Sequence, residues 1–162
     1  MIEMAFKEFY QSYGNWPIDG KGYSLYVMHN GSGDVLYIGI SSDSIWNRWF
    51  GGRSHISVNK TEIGGKLNVS VTGIDLIGEK IIDHLPESGE WKIQLWDIKE
   101  AAEFCNSRIK AYPFVETDMI NKLHPILNVR QNSHPGKDTT PESKAEKKRK
   151  KEAEETARRV FG

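Results

Sequence analysis

Between Tyr23 and Trp49 the chain alternates apolar and polar positions in two short runs, separated by Asn30-Gly31-Ser32-Gly33 and followed by an aromatic-rich segment. Alternate side chains of a strand face opposite sides. Leu25 and Val27 therefore share one face of the first run, with Ser24, Tyr26 and Met28 opposite. In the second run Leu36, Ile38 and Ile40 are set against Val35, Tyr37 and Gly39. The Gly-rich turn predicts a hairpin, and bringing the aliphatic faces together pairs Tyr26 with Tyr37. Two phenols then stand side by side, flanked by Ser24 and Gly39, whose small size leaves room for a group as bulky as a phosphate.

On either side of this hairpin the period changes to that of helices. Phe6, Phe9, Tyr10 and Tyr13 predict an amphipathic helix over residues 2–13, and a loop follows through Pro17 to Gly22. Ser41-Ser42-Asp43-Ser44 offers helix caps, Ile45 and Trp49 share an inner face, and Gly51-Gly52 stops the helix. Arg48 lies at the edge of that stripe, able to reach over the sheet. Residues from 53 onward, with Asn59-Lys60 and Gly64-Gly65-Lys66, read as a loop insertion whose basic residues, Arg53 among them, can touch a nucleic acid. Thr72-Gly73-Ile74-Asp75 has the form of a capping box before a stripe of Ile74, Ile77, Ile81 and Leu85.

Trp91 to Ile98 alternates as a third strand, and Lys99 to Lys110 reads as a helix that buries Cys105. Pro113 opens a further helix with Met119, Ile120 and Leu123 on its apolar face. Glu116 precedes those residues by three, four and seven positions and so faces inward. A buried carboxylate is costly unless it is paired or holds a metal ion. Beyond Asn132, a linker at Ser133–Gly136 leads to a dense mixture of Lys, Arg, Glu and Ala, either a solvated helix or a disordered extension. The pattern as a whole predicts an α/β (α+β) domain, a central three-stranded antiparallel sheet flanked by helices. It spans residues 1–132, with its core at about 23–128, and carries a charged extension over 133–162.

A chain of 162 residues is one domain with a sizeable core. No stretch approaches the ~18 apolar residues of a membrane span. The opening MIEMAFKEF has Glu3 and Glu8 and no apolar segment of the signal-peptide kind. A single cysteine fits a reducing compartment, so the cytoplasm is the expected location. Net charge is zero but unevenly spread: from Lys137 onward nine basic residues face six acidic ones, +3, leaving 13 against 16, −3, for the body. Any nucleic-acid surface must therefore come from local clustering of cations. The five histidines show no zinc-site spacing, and there is no phosphate-binding loop or dinucleotide fingerprint.

Ser24-Leu25-Tyr26, then Tyr37-Ile38-Gly39, Arg48, a helical Glu116 and Asn128 resemble, in order and spacing, the GIY-YIG endonuclease family. The second tripeptide is intact, and the first differs from Gly-Ile-Tyr at Ser24 and Leu25. The resemblance implies hydrolysis of DNA phosphodiester bonds with Mg²⁺ or Mn²⁺ held by Glu116. Arg48 would neutralise the phosphate, and Tyr26 and Tyr37 would orient the attacking water. It also implies that Asn128 organises the site. His55, seven residues after Arg48, is an alternative proton acceptor. Ser24, Gly39 and Arg53 are the candidate substrate contacts. The alternative is the same fold kept as a non-catalytic binding or interaction module. One site cuts one strand, so a double-strand break calls for a homodimer or two successive events.

Overall fold

Asn30 closes the central hairpin. Its side-chain oxygen accepts from the N–H groups of Ser32 and Asp34 at 3.0 and 2.8 Å, and Gly33 takes a left-handed φ of 85°. The computed structural model describes residues 1–15, 22–128, 132 and 134–161. The loop expected around Pro17 and the start of the linker at Ser133 lie outside the described residues.

Strands β2 (Leu25–His29) and β3 (Val35–Ile40) pair antiparallel, but Tyr26 lies opposite Gly39 and Tyr37 opposite Met28, two residues from the expected register. A bulge after Met28 explains part of the difference, because it carries Leu36 into the same core cluster as Tyr26 and Met28 while Ile38 joins Leu25 and Val27. Both faces of the sheet are buried, so a rule that collects all aliphatic residues on one face cannot fix the register.

The sheet has four strands, not three. Its order is β1 (Ile2–Ala5), β6 (Lys92–Trp96), β2, β3, and every pair is antiparallel. The additional strand is β1 (Ile2–Ala5), lying where a helix was expected; only Phe6–Gln11 is helical (α1). The helical period of the aromatic residues begins at Phe6, and the four residues before it complete their hydrogen bonds on β6 (Lys92–Trp96).

Helix α2 (Ile45–Phe50) starts at Ser44, whose hydroxyl accepts from the Asn47 N–H. What read as a loop insertion is a two-stranded ribbon, β4 (Ile56–Ile63) and β5 (Lys66–Gly73). Its turn is Gly64-Gly65, with φ of 60° and 79°, a conformation open to glycine. Asp75 rather than Thr72 caps α3 (Leu76–Asp83). Helices α4 (Ile98–Cys105) and α5 (Tyr112–Leu123) follow β6.

Two cores sandwich the sheet. Phe6, Phe9, Tyr26, Trp49, Ile77 and Ile81 fill the side of α1, α2 and α3. Leu25, Val27, Ile38, Ala101, Val115 and Met119 fill the side of α4 and α5. The extension folds back onto the first side before entering α6 (Lys144–Phe161). Asp34 accepts from the Thr139 N–H at 3.0 Å, Lys80 meets Asp138 and Glu146 at 2.9 Å each, and Arg149 reaches Asp83 at 2.8 Å. Among the described residues no helix is long and apolar enough to cross a membrane.

Candidate functional site

Tyr26 points from β2 into the interior and is fully buried. Its ring lies over Gly39: a Cβ there would stand 2.2 Å from the phenol oxygen. The space beside Gly39, expected to admit a phosphate, is thus filled by Tyr26. The two phenols stack with ring centroids 6.2 Å apart, and Tyr37 is the one that reaches solvent.

The backbone doubles back after Gly51-Gly52, and the His55 N–H donates to the Arg48 carbonyl at 3.3 Å. This return sets the fully buried His55 ring among Tyr26, Tyr37 and Trp49. Its Nε2 is 2.6 Å from the Tyr26 hydroxyl and its Nδ1 is 2.5 Å from Asp75 Oδ2. The other Asp75 oxygen accepts from the Gly78 N–H at 3.0 Å.

Charge fixes the direction of these bonds. Burial pulls the Asp75 carboxyl upward, but its interactions with His55, the Gly78 N–H and Arg48 together outweigh it and hold the group below its ordinary value. Asp75 is therefore an ionised acceptor, Nδ1 of His55 carries the ring proton, and Nε2 accepts from the Tyr26 O–H. Burial lowers the pKa of His55 more than Asp75 raises it, so the imidazole is neutral at pH 7. Burial drives the Tyr26 phenol well above its usual range, with Tyr37 adding to the effect. Tyr37 is also raised by burial, against the opposing pull of Arg48.

Sequence reasoning missed Asp75 as a partner of His55. The sequence places Asp75 only as the acidic end of a capping box led by Thr72; as the true cap it engages one oxygen, and no local signal shows that the second meets a residue 20 positions away. The pairing depends on the β4–β5 ribbon bringing the chain back.

Arg48 sits in the last turn of α2, partly exposed, with Nη1 donating to the Arg53 carbonyl at 3.3 Å. Its charge acts on both phenols, on His55 and on Asp75. Arg53 contributes that carbonyl, and its side chain is exposed. Glu116 is half-buried on α5, and its negative charge is felt by both Tyr26 and Tyr37. Burial alone raises its pKa. Asn128 lies on the far side of β3, where its amide donates to the Ile38 carbonyl at 2.8 Å and accepts from the Ile38 N–H at 3.0 Å. Ser24, at the entry to β2, is held through its backbone by Trp96 and Ser41. Tyr26, Tyr37, Arg48, His55, Asp75 and Glu116 thus form one electrostatic neighbourhood, whereas Asn128 acts on the strand behind it.

One consequence concerns stability. Between its lowered folded value and its ordinary value near 6.5, His55 is protonated only in the unfolded chain, so stability falls as pH drops through that window. Urea midpoints measured from pH 7.5 to 5.5 are expected to decline, and the decline to shrink in His55→Gln. An equal slope in that variant would show that His55 is not the group concerned.

This mixed sheet-and-helix domain carries a tyrosine pair, an arginine at a helix end and a glutamate on α5, the helix packed on the other side of the sheet. The chain belongs to the GIY-YIG catalytic domain family, whose model matches residues 15–152. The match extends past residue 132 into α6. No curated protein and no solved structure matches the chain.

Proposed function

We propose that the chain is a divalent-metal-dependent endonuclease that hydrolyses DNA phosphodiester bonds. The carrying observation is the convergence of Arg48, the solvent-facing Tyr37 and Glu116 on the Tyr26–His55–Asp75 chain. The family's domains are generally nucleases using divalent metals, which supports this reading.

The residues fit a hard cation held lightly. Among the described residues no cluster of three or more His, Cys, Asp or Glu side chains forms a closed cage. Glu116 is a half-buried oxygen donor with burial as the one cause of its shift. Mg²⁺ is commonly held by one or two carboxylates, with waters and substrate phosphate completing its shell. When bound at Glu116, Mg²⁺ or Mn²⁺ supplies Lewis-acid stabilisation of charge on the phosphate. Arg48 offers its planar fork to the phosphate oxygens. Tyr37, protonated at neutral pH, orients the attacking water. As Tyr37 takes a proton from the water it would pass its own inward to the buried Tyr26, whose proton shifts to His55 Nε2, and Asp75 stabilises the imidazolium that results.

The first test is nicking of supercoiled plasmid with Mg²⁺ or Mn²⁺ and with EDTA. Metal-dependent nicking or linearisation is expected. Binding of DNA without cleavage of plasmid, branched or single-stranded substrates under either metal would instead establish a non-catalytic module.

Asp75 is a positioning residue in this scheme. Asp75→Asn is expected to lower kcat about 10²-fold at unchanged KM. The acid limb of its pH profile moves to lower pH, because His55 loses the partner that holds it up. A profile identical to the parent's removes His55 from the proton path.

A further inference from the structure

The β4–β5 ribbon is exposed at every residue from Asn59 to Thr72, and its two faces differ in kind. Residues directly paired across an antiparallel ladder lie on the same face. One face carries the pairs Val58 with Val71, Lys60 with Val69 and Glu62 with Leu67. The other carries Ser57 with Thr72, Asn59 with Ser70, Thr61 with Asn68 and, at the tip, Ile63 with Lys66. The six side chains before the tip are all hydroxyls or amides, and none of the six is ionisable. Among the described residues none of the six makes a side-chain hydrogen bond.

The orientation of the ribbon is fixed at its base. Val58 packs against the core, and Val69 and Val71 line a cleft of about 210 Å³ with Phe6, Phe50 and Ile81. The apolar face is thereby turned to the domain and the hydroxyl and amide face away from it. Gly73 and Gly78 allow the close seating on α3: a Cβ on Gly78 would stand 1.9 Å from the His55 carbonyl oxygen. The ladder also continues one step beyond the strands, since the Ile74 N–H donates to the His55 carbonyl at 2.9 Å. His55 stands directly before β4, so the base of the ribbon adjoins the centre of the site and its polar face runs outward from there.

A two-stranded ribbon fits the major groove of B-DNA, about 12 Å wide, and the five residues from Asn59 to Ile63 extend about 16 Å. Neutral amides and hydroxyls are suited to base edges: Asn pairs bidentately with adenine, and Thr meets the thymine methyl. Two lysines, Lys60 and Lys66, against one acid, Glu62, leave the ribbon net positive while the body is net negative. A strand pair that only needed solvation would be protected more simply by charged side chains.

We propose that the β4–β5 ribbon is the sequence-reading element of the nuclease. It enters the major groove with Asn59, Thr61, Asn68 and Ser70 facing base edges, to one side of the scissile phosphate held at Arg48 and Tyr37. The proposal rests on the endonuclease reading, and the test separates the two. The full chain is incubated with Mg²⁺ and a library of duplexes randomised on both sides of a fixed centre, and the cut ends are sequenced. The wild type is expected to show base preference at a few adjacent positions on one side of the cut. In Asn59→Ala/Asn68→Ala, with an unchanged thermal midpoint, the ratio of cutting at preferred over median sequences falls at least about tenfold. Cleavage without preference, preference that survives the double substitution, or cutting confined to single strands or RNA overturns the ribbon proposal and leaves a nuclease standing. If the wild type neither cuts the library nor retains any duplex from it in a binding selection, both readings fall together.

Discussion

Arg48→Ala and Glu116→Gln are each expected to slow DNA nicking about 10²- to 10³-fold without loss of the fold. The two sides of that expectation come from different observations. Arg48 is partly exposed and, among the described residues, tied to the protein by one long hydrogen bond to the Arg53 carbonyl, so its removal opens no cavity. Glu116 is a half-buried carboxylate whose ionisation is disfavoured by burial, with no compensating cause. A neutral isostere relieves that cost, and Glu116→Gln should be as stable as the parent or slightly more so. Loss of rate at undiminished stability is the signature of a side chain kept for chemistry. Plasmid nicking and urea midpoints on the same preparations check it, and retention of cleavage by Glu116→Gln would remove Glu116 as the metal donor. The raised pKa adds a sign. Glu116 must ionise to hold a cation, so on acidification metal-dependent cutting should fail at a higher pH than an ordinary carboxylate would dictate, and added Mg²⁺ should partly restore it.

Gly39→Ala should destabilise the domain by about 2–3 kcal/mol and inactivate it together. The new Cβ would meet the Tyr26 oxygen at 2.2 Å and its Cζ at 2.4 Å. The ring has nowhere to withdraw: its hydroxyl is bonded to His55, and its faces lie against Tyr37 and Trp49. Relief must come from shifting β3 or from pulling Tyr26 off His55, which strands a buried ring nitrogen at a further cost of about 1–3 kcal/mol. Chemical denaturation measures the first effect and plasmid nicking the second. A change within about 0.5 kcal/mol would mean that the phenol does not lie over Gly39 in solution.

This contact also shows what the sequence can and cannot disclose. The alternation of Tyr26 and Tyr37 put both phenols on one face, and the structure keeps them there. Their register is offset because the side-chain-free position at Gly39 must receive a ring, and a pattern of apolar residues says nothing about which large group a small one accommodates. The inward stripe of α5 was legible through Met119 and Ile120, and with it the half-buried setting of Glu116. Strand β1 was not, since four residues have no readable period and their partners lie about 90 positions away. The ribbon reads as a loop because one face of it is polar from Ser57 to Thr61 and Lys60 and Glu62 interrupt the other, even though Gly64-Gly65 is a strong turn signal. The contacts of residues 138–149 with Lys80 and Asp83 are equally silent in a segment whose composition is that of a solvated chain.

Strand β3 is the last strand of its sheet. Its outer backbone groups are occupied: Val35 and Leu36 accept from the N–H groups of Ile126 and Leu127, and the Asn128 amide engages both polar groups of Ile38. An unoccupied edge of this kind is a template on which another chain can add a strand. The segment after α5 therefore acts as a built-in stopper against intermolecular aggregation, with the asparagine side chain imitating a peptide group at the point where the backbone turns away. Asn128 thereby guards the outer edge of β3, a contribution distinct from the rate of any cut.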